Sequence, residues 1–162
     1  AILKMYEGED DRVRWGLIRA LGELKIGAAV PVILQEMRNP FNRECAIEAL
    51  GNIGSEEAFD PILVFLSENP GSASIAMLPL ARTGKQKALR YLHEYLSADL
   101  AVVRQAAVRA IASVECSECA GILKAHVYVE RDDKVRSVLQ QSLRSLEVAL
   151  RKKITLIEAN PA

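Results

Sequence analysis

Two stretches of the chain, ALGELKIGAAVPVIL at residues 20–34 and ALGNIGSEEAFDPIL at residues 49–63, carry nearly the same pattern of residues. Each stretch is typical of the end of one helix, a turn marked by glycine and the start of a second helix. Self-similarity at a fixed period is the sequence signature of repeat architectures. The repetition therefore predicts a fold built from successive helix–turn–helix repeats.

The ends of the first helices align on one apolar position in each of five repeats. These positions are Leu21, Leu50, Leu80, Ile111 and Leu143, which are 29, 30, 31 and 32 residues apart. The alignment predicts a single repeat domain over residues 1–162. Its repeats cover about 10–38, 39–68, 69–98, 99–131 and 132–159. Residues 1–9 are interpreted as the tail of a truncated preceding repeat, so we expect the chain to be part of a longer protein.

The composition favours an all-α fold and argues against several classes of function. Half of the residues are hydrophobic but only 5% are aromatic, so the core is built mainly from Ala, Leu, Ile and Val, which suits closely packed helices. The 21 basic and 21 acidic residues cancel, which argues against a nucleic-acid partner. No apolar run is long enough for a membrane span, and the three cysteines form no disulfide framework. These features predict a cytoplasmic protein without membrane contact.

The second helix of each repeat is predicted from the spacing of its apolar residues. The predicted ranges are 28–37, 56–66, 85–96 and 117–127. Two positions of each second helix are expected to be buried. The first is occupied by Ile33, Ile62, Leu92 and Leu123, and the second by Met37, Leu66, Leu96 and Val127. One helix pair cannot cover its own apolar stripe, so each pair is expected to be stabilised by the next pair.

Other signals mark where helices begin and end. The expected N-caps of the first helices are Asp10, Asn39, Asn69, Asp99 and Asp132, whose side chains suit unpaired backbone N–H groups. The glycines expected to supply positive φ in the turns are Gly22, Gly27, Gly51, Gly54 and Gly84. The fifth repeat lacks a glycine turn, which predicts one long helix to about Ala159. Pro79 predicts a kinked or shortened first helix in the third repeat and a bend in the array there.

The repeats carry a recognisable motif, in which D-x-x-V-R is followed by A-L-G-x-[IL] and then by A-[VF]-x-P-[IV]-L. This motif resembles the short HEAT repeats of bacterial and archaeal proteins, the type named after phycobilisome lyase subunits. The resemblance covers nearly the whole chain, although the third repeat has neither the Val nor the Arg. The patterns of tetratricopeptide and ankyrin repeats are absent. The resemblance implies a right-handed α-solenoid of about five stacked antiparallel helix pairs. First helices would lie on the convex side and second helices on the concave side, and most such proteins bind other macromolecules.

The motif Cys116-Ser117-Glu118-Cys119 has the spacing of half a zinc site or of a redox pair. No second C-x-x-C accompanies it, and Cys119 falls in the same small column as Ala58 and Ala88. Cys116 falls in the turn beside Ser55 and Lys85. We therefore expect ordinary packing of the two cysteines, and a redox or metal role of the pair stays open.

The pair His93-Glu94 is similar to the His-Glu pairs of deoxyhypusine hydroxylase, a HEAT-like enzyme that binds iron. One pair supplies too few ligands, and the other histidine of the chain is His126. No P-loop and no plausible nucleophile with a histidine partner is present either. The sequence therefore predicts no enzyme, no catalytic residue, no metal and no cofactor.

The columns of the second helices that are not used for the core are more apolar than solvent favours. We expect Phe65, Tyr91, Tyr95, Ile122 and His126 to face outward and to bind a partner. The predicted function is a non-catalytic scaffold that binds a protein, of unknown identity, on the concave face.

Two further interpretations stay open. The alternative function is a bilin-chromophore lyase or isomerase subunit, as the namesake of the repeat suggests, in which Cys116 or His126 contacts the chromophore. End-to-end self-association is expected if Ile2, Leu3 and Met5 leave an apolar end exposed.

Overall fold

The structure, a computed structural model, describes residues 10–159, with side chains as far as Thr155, and it is all-α. No β-strand occurs among these residues, and the helix pairs are consistent with the predicted α-solenoid class. The expectations for residues 1–9, and for self-association through Ile2, Leu3 and Met5, lie outside the described residues.

The helices alternate between first and second members of each repeat. In chain order they are α1 (Asp11–Glu23), α2 (Val30–Glu36), α3 (Arg43–Ile53), α4 (Phe59–Glu68), α5 (Ala73–Gly84), α6 (Leu89–Glu94), α7 (Ala101–Ala112), α8 (Ser117–Val127) and α9 (Asp133–Ala159). Short 3₁₀ turns lie at Gly27–Ala29, Glu56–Ala58, Pro70–Ser72, Lys85–Ala88 and Tyr95–Ser97. The second helices are therefore shorter than predicted in three repeats, because 3₁₀ turns replace their first residues. The predictions for α8 and for the long α9 are confirmed.

The chain is divided into two compact units, Ala1–Gly84 and Lys85–Ala162. In the first unit α1 packs against α3 and α3 against α5, while α2 packs against α3 and α4 against α5. In the second unit α7 packs against α9, α8 packs against both of them, and α6 packs against α7. Within each unit, neighbouring repeats therefore cover each other's apolar stripes.

The predicted core of the second helices is largely confirmed. Ile33, Ile62, Leu92 and Leu123 are all 0% exposed. Leu66 and Leu96 are buried as well, whereas Met37 and Val127 are half-buried. In the last repeat the buried side chains of α9 are Val135, Leu139 and Leu146. Leu143, which was used to align this repeat with the others, is half-buried.

The glycines have a different role from the one expected. Among the described glycines, Gly54 alone has a positive φ, of 74°. The equivalent left-handed position is held by Lys25 (φ 53°), Lys85 (φ 49°) and Glu115 (φ 53°) in the other turns.

Gly22 and Gly51 lie inside helices, where the chain needs them for close packing. A Cβ atom on Gly22 would lie 2.6 Å from the Cα of Ala49, and one on Gly51 would lie 2.6 Å from the Cα of Pro79. Pro79 does not shorten α5, which continues to Gly84. The bulk of the proline is accommodated because Gly51 leaves room beside it.

Two of the five expected caps are confirmed. Asp10 Oδ1 accepts from the N–H groups of Arg12 and Val13 at the start of α1, and Asp132 Oδ1 accepts in the same way at the start of α9. The side chain of Asn69 instead donates to the carbonyl of Phe65, 2.9 Å away. Asn39 Oδ1 accepts from the N–H of Phe41 at 3.0 Å, as a cap would, but α3 itself begins only at Arg43. The helix α7 begins after Leu100 without a side-chain cap.

Candidate functional site

Phe65, one of the five residues predicted to bind a partner, lies in the core of the first compact unit. Its side chain is only 8% exposed. It belongs to the apolar stripe of α4 together with Ile62 and Leu66, because residues three and four positions apart share one face of a helix. The expectation that Phe65 faces outward was therefore wrong. Val64, at 53% exposed, is an apolar residue that α4 presents to solvent instead.

The other four predicted residues lie in the second compact unit, and each is half-buried. Tyr91 is covered on one side by Arg90, which donates to the phenol oxygen and whose guanidinium carbon lies 4.5 Å from the ring centroid. Burial raises the pKa of the Tyr95 phenol, and the carboxylate of Glu94 raises this pKa further. Both rings are therefore partly packed against the protein and keep only part of their surface for a partner.

His126 belongs to a buried ionic cluster at the end of α8. Its Nε2 lies 3.2 Å from Oε2 of Glu130, whose side chain is 3% exposed. Arg104 donates to both carboxylate oxygens, at 2.8 Å from Nε and 3.0 Å from Nη2. The Arg104 hydrogen bonds, together with the backbone N–H of Asp132, lower the pKa of Glu130 to about 2. His126 is thus held by a carboxylate of the protein itself.

Arg104 connects the ends of two successive second helices. Its Nη1 donates to the carbonyls of Ala98, at 2.8 Å, and Asp99, at 2.9 Å, which follow α6. Its other nitrogens hold Glu130, which follows α8. The arginine of the Val-Arg motif therefore serves the packing of one repeat on the next.

An arginine in the second repeat makes one of the same contacts. Arg43 Nε donates to the carbonyl of Met37, 3.0 Å away, just after α2. Because a guanidinium presents several donors in a fixed fork, one side chain can satisfy carbonyls that a helix end leaves unpaired. This structural role accounts for Arg43 and Arg104, whereas the equivalent Arg14 contacts the carboxylates of Asp11 and Glu36 and Arg136 contacts that of Asp133.

A groove of about 590 Å³ lies between α6 and α8 in the second compact unit. Leu89, which is 2% exposed, and the half-buried Ile122 form its apolar floor. Its polar rim consists of Gln86, Lys87, Arg90, His93 and Glu118, all of which are exposed. Of the five predicted residues, Ile122 alone lines this groove. We define these seven residues as the α6–α8 groove.

The rim of the α6–α8 groove was missed by the sequence analysis. Gln86, Arg90 and His93 follow one another at intervals of four and three, and Glu118 precedes Ile122 by four, so helical spacing places each set on one face. That signal was present but was used only for the core.

A second groove, of about 510 Å³, lies along the first helices of the first compact unit. Trp15, Glu44 and Glu48 are among the residues that line it. The guanidinium of Arg19 lies 5.7 Å from the Trp15 ring centroid and its Nε donates to Glu23 at 2.9 Å, so local contacts already engage the basic and aromatic groups there.

Cys45 lines the same groove but is 9% exposed. Its Sγ lies 3.6 Å from the carbonyl oxygen of Trp15. Burial raises the pKa of the Cys45 thiol to about 11. The thiol is therefore protonated and unreactive near neutral pH.

Cys116 and Cys119 are joined in a disulfide at the start of α8. Cys119 is 0% exposed, as its core column predicts, and Cys116 is half-buried at the turn in which the repeat register places it. The bond between them was not expected, because the sequence predicted ordinary packing of the two cysteines. The reason for the bond is local geometry: the N-cap and the third residue of a helix are one turn apart, which brings the two Cα atoms to 5.3 Å.

Within 10–159, no three His, Cys, Asp or Glu side chains converge as metal ligands do. No helix in that range has both the length and the apolar character needed to cross a bilayer.

The family model of HEAT repeats matches residues 1–73, which is slightly less than half of the 162 residues. The match supports a HEAT-like repeat protein and agrees with the region in which the repeat motif is strongest. No curated protein matches the sequence.

Proposed function

We propose that the chain is a non-catalytic scaffold that binds a protein partner through the second helices of its second compact unit, in the α6–α8 groove. HEAT repeats generally mediate interactions between proteins, and the match over residues 1–73 supports this class. The observation that carries the proposal is the lining of the groove, in which an apolar floor of Leu89 and Ile122 lies inside a charged rim. A buried apolar centre with a polar rim is the usual anatomy of a protein–protein interface.

The charges of the rim favour an acidic segment of the partner. The rim of the α6–α8 groove carries two cationic side chains, Lys87 and Arg90, and one carboxylate, that of Glu118. Complementary charge at an interface steers association and fixes register. The preferred ligand is therefore a segment in which one or two apolar side chains are flanked by Asp or Glu.

Tyr91 and Tyr95 extend the proposed surface beyond the groove. His126, the remaining predicted residue of this unit, contributes only the small part of its ring that is exposed beside Glu130. Tyrosine and arginine are enriched among the residues that dominate binding energy, and Arg90 and Tyr91 already form a stacked pair. Because these side chains are carried by helices that are formed before binding, little conformational entropy is lost when the partner binds. Phe65 is not part of this surface, since it is buried.

The test is affinity capture with the full chain and with the double variant Arg90→Glu/Ile122→Ser, followed by quantitative mass spectrometry. Proteins that bind the wild type through the groove should be lost from the double variant. For a purified partner, Kd should rise at least about tenfold, which corresponds to about 1.4 kcal/mol. The pair Tyr91→Ala/Tyr95→Ala should weaken the same complex by more than about 1 kcal/mol.

The matched control makes the same chemical changes elsewhere in the second compact unit, as Arg109→Glu/Val148→Ser. Arg109 is exposed on α7 and Val148 is 54% exposed on α9. The control should capture the same proteins as the wild type, with the same helical circular dichroism. Equal capture by the groove variant and the control would refute the binding site.

No observation favours the alternative function, a subunit that handles a bilin. The sulfur of Cys116 is used in the disulfide, and Nε2 of His126 lies against Glu130. An absorbance spectrum of the chain after incubation with a bilin tests this alternative directly. A shifted visible band would replace the scaffold proposal.

We also propose the cytoplasm as the compartment. The buried thiol of Cys45 remains free, and the disulfide joins two positions of one helical turn rather than two distant parts of the chain. Secreted domains instead use disulfides as a framework. Fractionation of cells that express the parent protein tests this placement.

A further inference from the structure

The disulfide between Cys116 and Cys119 connects no two elements of the fold. Cys116 is the N-cap of α8 and Cys119 is in its first turn, so the bridge closes within a single turn. The N–H of Cys119 also donates to Sγ of Cys116, at 3.3 Å. Since the helix itself already holds the two residues together, the covalent bond adds no long-range constraint, and its reduction should leave the fold intact.

The two sulfurs differ in how accessible they are. Cys119 is 0% exposed and packs in the core, whereas Cys116 is half-buried at the edge of α8. A thiolate from outside the molecule can therefore approach Sγ of Cys116 and not Sγ of Cys119. This asymmetry fixes which sulfur is attacked and which one leaves.

The surroundings of Cys116 suit a thiolate. A sulfur at the N-cap lies at the positive end of the helix dipole and accepts from a backbone N–H group. At the preceding residue, the carboxylate of Glu115 is neutralised by Lys153, whose Nζ lies 3.1 Å from this carboxylate and 3.0 Å from the Glu115 carbonyl oxygen. The first turn of α8 also carries one acidic side chain, that of Glu118, whose charge acts against that of the helix dipole.

We propose that Cys116 and Cys119 form a thiol–disulfide exchange site, with Cys116 as the reacting sulfur and a dithiol as the reductant. One thiolate of the dithiol attacks Sγ of Cys116, the bond to Cys119 breaks, and Sγ of Cys119 leaves as a thiolate that takes a proton from water. The second thiolate of the dithiol then attacks the first sulfur of the dithiol, which is bonded to Cys116 in the mixed disulfide. That bond breaks, and Sγ of Cys116 leaves as a thiolate that takes a proton from water. The pair gains two electrons and two protons, and the dithiol becomes a disulfide.

The proposal goes beyond the scaffold function and does not depend on it. Cys116 and Cys119 do not line the α6–α8 groove, although Glu118 and Ile122 of the same helix do. In a reducing compartment, disulfides are usually transient and serve catalysis or redox sensing. A pair that exchanges without unfolding the chain matches that use.

The test is equilibration of the full chain in mixtures of reduced and oxidised dithiothreitol, followed by alkylation and peptide mass spectrometry. Reduction should add one alkylated thiol in the folded chain, at Cys116, reversibly and with unchanged helical circular dichroism. The thiol of Cys119, which is 0% exposed, should be alkylated only after the quenched sample is unfolded. Cys45 is the internal control, because its buried thiol should not react in the folded chain. A pair that stays oxidised until the chain unfolds, or one that never forms the disulfide in oxidised dithiothreitol, would overturn the proposal.

Single variants test the roles of the two sulfurs. With oxidised glutathione as the probe, Cys119→Ala should accumulate one glutathione adduct at Cys116, whereas Cys116→Ser should accumulate none at Cys119. Because Cys119 is in the core, Cys119→Ser provides a second variant with a different side chain at the same site. If Cys116→Ser accumulated as much glutathione at Cys119 as the two Cys119 variants accumulate at Cys116, the assignment of Cys116 as the reacting sulfur would be refuted.

Discussion

Gly51 of α3 and Pro79 of α5 contact each other so closely that a Cβ atom on Gly51 would lie 2.6 Å from the Cα of Pro79. No side chain fits into this space, so the two first helices approach each other as closely as their backbones allow. Gly22 and Ala49 repeat the relationship one repeat earlier, at the same 2.6 Å. In both repeats, the glycine of the Leu-Gly pair sets the spacing between successive first helices.

Replacing Gly51 by Ala should therefore destabilise the chain. The added methyl group meets backbone and ring atoms of Pro79, which cannot move aside as a flexible side chain would. We expect the free energy of unfolding to fall by about 1–3 kcal/mol, as for other overpacked sites, in urea denaturation followed by circular dichroism.

The variant Gly16→Ala provides a control of opposite sign. Gly16 is inside α1, and nothing lies within 4 Å of the position that its Cβ would take. Alanine there should stabilise the helix by about 0.5–1 kcal/mol. Shifts of the same sign for Gly16→Ala and Gly51→Ala would rule out the close-packing explanation.

Lys25→Gly should stabilise the chain. Lys25 has a φ of 53° after α1, and the N–H groups of Lys25 and Ile26 bond to the carbonyls of Gly22 and Leu21. This is a Schellman motif, whose left-handed residue is usually glycine because a Cβ atom is strained there. We expect the melting temperature to rise with a gain of about 1 kcal/mol.

Lys25→Ala separates this backbone effect from the loss of the lysine side chain. Alanine removes the same charge but keeps the Cβ atom, so it should not reproduce the gain. If Lys25→Ala stabilised the chain as much as Lys25→Gly, the strain at this residue could not be the cause.

Glu130 should make stability depend on pH in the acid range. Its pKa is about 2 in the folded chain, compared with an ordinary value of 4.5, because Arg104 holds its charged form. A lowered pKa contributes stability that is present above about pH 4.5 and is lost as the pH falls towards 2. The contribution is on the order of 3 kcal/mol.

Urea unfolding of the wild type and of Glu130→Gln, from about pH 6 to about pH 2, measures this contribution. The variant should be much less stable at the upper end, because it leaves Arg104 without its carboxylate, and the difference should shrink as the pH falls. Glu68→Gln, at an exposed position on α4, is the matched control. A difference between wild type and Glu130→Gln that is constant over the whole range would contradict the pKa argument.

The periodicity of apolar residues was sufficient to predict the helices and most of their buried columns. Ile33, Ile62, Leu92 and Leu123 were identified correctly because burial repeats with the helical period. The same reasoning failed for Phe65, since the buried stripe of α4 is wide enough to include a third column. The width of a stripe depends on how many neighbouring helices cover it, and one sequence does not contain that information.

Residues with two possible roles were the other source of error. A glycine at the end of a helix serves either a positive φ or a close contact, and only the packing of α3 against α5 distinguishes these for Gly51. The side chain of Asn69 could cap the next helix or bond to the previous one, and it does the latter. The α6–α8 groove and the disulfide depend on which residues come together in space, so periodicity alone could not locate them.

Lys25, Gly54, Lys85 and Glu115 each have a positive φ in the turn that follows one of four successive first helices. A segment that runs from one of these residues to the next therefore begins and ends with matching geometry. Duplication or deletion of such a segment would join two ends that both have a left-handed φ. Repeats could therefore be added or removed without a new type of turn.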